Sequence, residues 1–228
     1  MRALKILFAA VLISACSIAV ADPLPTSWDG LVQVKSKKLE FVYLLPNANF
    51  SPYSKIEYDP VEISLRKDWL QNYNDSSAGF GNRVTQADVR TAMTKASGEF
   101  DKYFGQEFIK AGYAIVSAPG PDVLRVSVAV MNVEVTAPDT GASTGMTFTA
   151  NAGQAALVIE VRDSLTNQLL GRAIDQQLAG DEGPALRTSA SNWGDFEDMF
   201  KDWAKVSVQG LTELKALSPI DTNGIQKK

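Results

Sequence analysis

Apolar and polar positions change period several times along the chain, and each change predicts an element. From Val89 to Phe108 the apolar side chains recur at helical spacing: Val89, Met93, Ala96, Phe100, Tyr103, Phe104 and Phe108. Thr85 stands before this stripe as an N-cap, Asp88 three residues later completes a capping box, and Val84 and Val89 are spaced as a hydrophobic staple. Gly112 ends the pattern in a left-handed cap. Three phenylalanines share this face, and each contributes roughly 1.5–3 kcal/mol when removed from water, so they belong to a core and not to a ligand site. A second stripe, Trp193, Phe196, Phe200, Trp203, Ser207, Leu211 and Leu214, predicts a helix over Asn192 to Leu217. Asn192 and Asp195 are placed to cap it, and Pro219 ends it.

The segments between these stripes have strand character. Leu39 to Leu44 is short and aromatic, and Lys55 to Leu65 alternates until the pattern slips at Asp59-Pro60. Proline cannot donate to a ladder, so that strand is expected to be bulged or at an edge. After a short strand at Tyr113 to Val116, Val123 to Val135 is aliphatic on both faces, which predicts a central strand covered on both sides for part of its length. Gln154 to Arg162 and Leu169 to Gln177 read as a hairpin. Trp69 to Gly81 and Gly180 to Ser191 read as loops, and Pro138 to Gly153 as a mobile loop or two weak strands around Met146 and Phe148. Two amphipathic helices can be served by one sheet. The expected fold is therefore α+β, a two-layer sandwich with an antiparallel or mixed sheet of about five to six strands. A lipocalin-like barrel competes, but two helices of this length argue against it.

The N-terminus has another logic. Arg2 and Lys5 precede an apolar run, Ile6 to Ile13, too short for a comfortable membrane span; this reads as a secretion signal. Ala19-Val20-Ala21 before Asp22 fits ordinary cleavage, whereas Leu12-Ile13-Ser14-Ala15-Cys16 resembles a bacterial lipobox whose cysteine is acylated. The lipoprotein reading is favoured, because the one cysteine of the chain stands where the box requires it. Ser17 after the cysteine resembles an outer-membrane destination in enteric-type bacteria. The expected placement is the periplasmic side of the outer membrane, with the membrane bound through N-terminal acyl chains at about 0.8 kcal/mol per buried methylene. A soluble periplasmic protein is the alternative. The expected division is a signal region at 1–21, a tether at 22–38, one α+β domain at 39–217 and a polar tail at 218–228.

Composition narrows the chemistry. The 228 residues are 45% apolar and 21% charged, as expected of one compact domain. There is no histidine and only one cysteine, which excludes histidine triads, histidine metal sites, thiol redox pairs, intrachain disulfides and multi-cysteine zinc sites. Loss of Arg2 and Lys5 with the signal leaves 20 basic against 26 acidic side chains, a net charge of −6. The densest basic patch is Lys35, Lys37 and Lys38, which a solvated strand flank explains, so no nucleic-acid partner is expected.

Several short motifs carry a family resemblance: Phe41-Val42-Tyr43 before Pro46, Tyr58-Asp59-Pro60-Val61-Glu62, Ala118 through Arg125, and the turn Arg162 through Leu170, where Asn167 takes a position suited to the left-handed conformation. In this order they resemble the bacterial envelope lipoproteins grouped as domain-of-unknown-function family 3313, over about Leu39 to Leu217. The resemblance implies secretion and frequent lipidation and supplies no catalytic residues.

Three functional classes are weighed. The first is a non-enzymatic envelope lipoprotein, lipidated at Cys16, that works through a protein or peptidoglycan contact. The second is a binding module for a small apolar or amphipathic ligand, with Gly141 to Gly153 as lid and Trp69, Met146 and Phe148 lining a pocket. The third is a carboxylate hydrolase built on Asp59 with Glu62, or on Asp163 with Asp175 as neighbours across the hairpin. Turns, caps and solvated faces account for these acids more simply. The acidic groups Asp181-Glu182 and Asp195-Glu197-Asp198 do not follow the calcium-loop pattern. No catalytic residue, metal ligand or cofactor is expected.

Overall fold

The computed structural model describes residues 24–76, 83–136, 148–180, 185–186 and 189–225. In chain order the strands are β1 (Ser27–Trp28), β2 (Leu31–Val34), β3 (Phe41–Leu44), β4 (Lys55–Tyr58) and β5 (Glu62–Leu65), followed by helices α1 (Trp69–Ser76) and α2 (Gln86–Lys110). Then come β6 (Ala114–Val116), β7 (Val123–Val135), β8 (Phe148–Thr149), β9 (Gly153–Asp163), β10 (Leu169–Ala179), β11 (Ala185–Leu186), α3 (Ser189–Leu217) and α4 (Thr222–Ile225).

The class is α+β and the sheet is mixed. It has nine strands in the order β1-β2-β3-β10-β9-β7-β4-β6, with β5 also on β7, and β8 and β11 form a separate ribbon. The expected count of five to six strands is thus corrected. One source of the extra strands is the segment read as a tether. Asp29 (φ 54) and Gly30 (φ 81) both take the left-handed conformation, so Trp28 and Leu31 pair across a two-residue turn. An Asp-Gly pair is the composition such a turn requires. The other source is Pro60. It breaks the predicted strand into β4 and β5, which run one after the other along the same edge of β7, both parallel to it.

The aliphatic segment 123–135 is the central strand β7, between β9 on one side and β4 and β5 on the other. β9 and β10 form the expected antiparallel hairpin, with Asn167 at φ 58 in its turn. Helix α2 starts at the predicted capping box, where Thr85 Oγ1 accepts the Asp88 N–H and the Asp88 carboxylate accepts the Thr85 N–H. It ends before Gly112, which is left-handed at φ 86. Trp69–Ser76 is a helix, not the expected loop. Helix α3 begins at Ser189, so Asn192 is a buried residue inside it and not its cap.

Both long helices cover one face of the sheet. Phe100 stacks on Phe104 with ring centres 4.7 Å apart and meets Phe200 of α3 edge-on at 5.1 Å. Phe100, Phe104 and Trp203 are fully buried, as are Leu124, Ile56 and Leu157 of the sheet beneath them. The chain after α3 is tied down as well. Ile220 is buried and exchanges backbone hydrogen bonds with Asn47 and Ala48.

Candidate functional site

A groove of about 360 Å³ opens between the C-terminal half of α3 and the sheet. Its floor is apolar, from Val42 and Leu44 of β3, Ile159 and Val161 of β9, and Ala173 of β10. These side chains share one face because strand residues alternate: Val42 pairs with Ala173, and Ala173 with Ile159. Gly171 keeps the floor flat, since a Cβ there would meet Leu44 and Val161 methyl groups at 3.1 and 3.2 Å. The roof is the flank of α3 formed by Val206, Gly210, Leu211, Leu214 and Leu217. A Cβ built on Gly210 meets nothing within 4 Å, so this glycine leaves space under the helix. Ser207 also lines the groove; its hydroxyl is buried and has no hydrogen-bond partner among the described residues.

The mouth is the β2–β3 connection, Lys35 to Leu39. Lys38 reaches across to α3, with Nζ 2.6 Å from Glu213 Oε1. Lys35 and Lys37 are exposed and form no ion pair with the described residues. Asp175 of β10 holds the two sides of the groove together. Its Oδ1 accepts the Glu40 N–H at the end of the mouth loop (3.0 Å), and its Oδ2 accepts the Trp203 indole N–H from α3 (2.8 Å).

The other face of the sheet carries a polar network around Arg172, whose side chain is only 8% exposed. Its guanidinium pairs with Glu160 at 2.6 Å and Asp29 at 2.8 Å and lies 4.2 Å from the Trp28 ring centre. Burial pushes the Glu160 carboxyl up, but hydrogen bonds from Arg162 and Arg172 outweigh it and hold the group below its ordinary value. Beside this network a row of Phe41, Ile174, Val158 and Ala129 runs across four strands on the face turned from α3, near exposed Met131 and Leu178.

The carboxylates weighed for hydrolysis are engaged structurally. Asp59 accepts from Arg125 Nε at 2.9 Å and Ser127 Oγ at 2.6 Å. Asp163 accepts the Thr166 and Leu165 N–H groups, the Thr166 hydroxyl and the Tyr53 hydroxyl, and the Thr166 amide first among them holds its carboxyl below the ordinary value. Asp163 and Asp175 are not neighbours across the hairpin. Asp175 pairs with Leu157, six residues along β9 from Asp163, or roughly 20 Å at strand spacing. Among the described residues no three acidic or cysteine side chains converge as metal ligands.

Trp69 lies away from the groove. It stacks on Tyr73 at 5.1 Å, donates its indole N–H to the Val135 carbonyl at 3.2 Å, and borders a separate cavity of about 590 Å³ with Ile63, Leu65, Val89 and Met93. Phe148 sits in the β8–β11 ribbon. Cys16, Met146, the segment 137–147 and the pair Asp181-Glu182 lie outside the described residues. Sequence reasoning missed the groove, although two signals pointed to it. One is the lysine cluster on a short link between strands. The other is a glycine and a serine, Gly210 and Ser207, on the apolar side of a helix where each lowers helical stability.

Comparison with known proteins gives a family and a few distant structural similarities. The model of a family described as "Protein of unknown function (DUF3313)" matches residues 21–207. No curated protein matches the chain. Among solved structures, a PelC dodecamer from Paraburkholderia phytofirmans is 12% identical, covering 72% of this chain and 96% of that one, with a TM-score of 0.35. Protein XCC0632 from Xanthomonas campestris is 10% identical, covering 74% and 90%, with a TM-score of 0.35. Likenesses at this level carry no argument about activity or assembly.

Proposed function

The chain belongs to the DUF3313 family of proteins of unknown function, and from that premise we propose that it is a non-enzymatic binding module of the bacterial envelope, anchored through an acylated Cys16 on the periplasmic side of the outer membrane, whose groove under α3 takes an amphipathic ligand. One observation carries the binding role: an apolar floor and roof meet at a mouth where Lys35 and Lys37 have no acidic partner among the described residues. A few polar groups at the rim of an apolar cleft is the usual build of a small-molecule site. The absence of catalysis is supported by the carboxylates, since Asp59, Asp163 and Asp175 spend their oxygens on structural donors.

Native mass spectrometry of gently purified protein tests the binding role. A co-purifying amphiphile, lost on replacing Gly210 with leucine, is the expected result; ligand-free protein under every gentle preparation counts against it. Intact mass after membrane fractionation tests the anchor, which fails if the mature chain begins at Asp22 without a fatty acid. A protein or peptidoglycan contact is the second reading, favoured by the half-buried apolar row Phe41, Ile174 and Val158 on the sheet face turned from α3, with Met131 and Leu178 exposed on the same face. Crosslinking in intact envelopes tests that contact, and recovery of free monomer under all growth conditions would remove it.

A further inference from the structure

We infer that the groove's occupant is a single-chain anionic lipid, with its tail under α3 and its charged head at Lys35 and Lys37. The inference rests on the binding role proposed above and narrows it to one ligand class. Shape is the first argument. α3 roofs the groove from Val206 to Leu217, a span of roughly 17 Å at the helical rise. Along that length the groove is an elongated apolar slot between helix and sheet, the shape an extended alkyl tail fills.

Charge is the second argument. Acidic side chains outnumber basic ones in this chain, 26 to 22, and basic groups such as Lys38, Lys55 and Lys201 are paired with them. Lys35 and Lys37 are left exposed and unpaired among the described residues, and they stand where the apolar groove reaches solvent. A neutral tail makes no use of two free ammonium groups at its exit, whereas an anionic head does. Exposed pairs of this kind contribute roughly threefold in affinity each, and the factors multiply, so the two together set a preference of about tenfold.

The third argument is the gap at Gly210. A glycine inside a helix forfeits stability, and here it opens the space that a tail would fill.

The test titrates the purified full chain with palmitate, with hexadecanol, and with vesicles of a two-chain anionic phospholipid. Palmitate is expected to bind about tenfold more tightly than hexadecanol and to be preferred over the vesicles. Lys35→Gln with Lys37→Gln brings palmitate down to the level of hexadecanol, and Gly210→Leu abolishes binding of both. Because Lys35 and Lys37 are exposed, the charge arm stands even if leucine at 210 disturbs packing. Equal affinity for palmitate and hexadecanol overturns the anionic head but leaves the binding role. Tighter binding to the two-chain vesicles overturns the single chain. No binding of any probe, together with no effect of Gly210→Leu on the co-purifying material, overturns the inference and the binding role alike.

Discussion

Asp175 Oδ2 accepts the indole N–H of Trp203 at 2.8 Å, in a polar contact sealed between β10 and α3. The other carboxylate oxygen accepts the Glu40 N–H, so a single side chain fixes the helix and the mouth loop to the same strand. Asp175→Ala strands both donors, and Trp203 is fully buried. A buried donor without an acceptor costs about 1–3 kcal/mol, so the loss is expected at about 2–5 kcal/mol in urea unfolding. A double-mutant cycle with Trp203→Phe should give a coupling of about 1.5–3 kcal/mol, and a coupling near zero would show that the contact does not hold α3 in place.

The glycines of the sheet and of α3 separate cleanly by what surrounds them. A Cβ on Gly210 meets open space, so Gly210→Ala should raise stability by up to about 1 kcal/mol through helix propensity. A Cβ on Gly153 would collide with the Glu134 carbonyl and the Phe196 ring. Gly153→Ala should therefore lower stability by about 1–3 kcal/mol, the range for overpacking. Thermal melts of the two variants should move in opposite directions.

Ser207 hides a hydroxyl with no partner among the described residues. Ser207→Ala removes an unsatisfied polar group and should stabilise the ligand-free chain by about 1 kcal/mol. A destabilised variant would show that the hydroxyl is satisfied in solution.

Acid should weaken the outer face of the sheet. The Glu160 carboxyl is held below its ordinary value when folded, so its contribution is present above the unfolded carboxylate range, about pH 4.3, and is lost as pH falls through the folded value. Arg172→Met removes a main cation of that network and should cost about 3 kcal/mol at neutral pH. The difference between variant and parent should shrink at pH 3. A constant difference in urea unfolding at pH 7 and pH 3 would contradict the linkage.

Alkali should act through the tyrosines. Burial first, and then the Asp101 carboxylate that accepts its hydroxyl at 3.0 Å, push Tyr58 well above its ordinary range. The hydrogen bond to Glu197, reinforced by burial, pushes Tyr103 up to about 12. Groups raised in this way contribute fully below the unfolded value, near pH 10, and lose that contribution as pH rises through the folded value. Melting temperature should therefore fall above about pH 10, less steeply in Tyr58→Phe than in the parent.

Much of the fold was legible in the sequence because it follows from local rules. The capping box at Thr85 and Asp88, the stop at Gly112, the left-handed turn at Asn167 and the central position of Val123 to Val135 each depend on a few adjacent residues, and each stands as expected. The misses also have local causes. The segment 22–38 reads as a tether if its prolines and Gly30 are counted as breakers, yet Asp29-Gly30 is a hairpin turn that places β1 and β2 in the sheet. Pro60 could have kinked, bulged or ended a strand, and only pairing with β7 selected two short parallel strands.

The site was less legible, because its parts are far apart in the chain. Periodicity alone determined which faces of α2 and α3 are apolar, since burial of a helix stripe is written in spacing of three and four. Composition alone excluded histidine and multi-cysteine chemistry. What the tertiary structure decided is where the faces fail to close: Gly171 and Gly210, 39 positions apart, come to opposite walls of one groove, and Lys35 and Lys37 come to its mouth. A gap between a sheet and a helix is a property of how two surfaces meet. No single segment encodes it, so it exists only once the chain is folded.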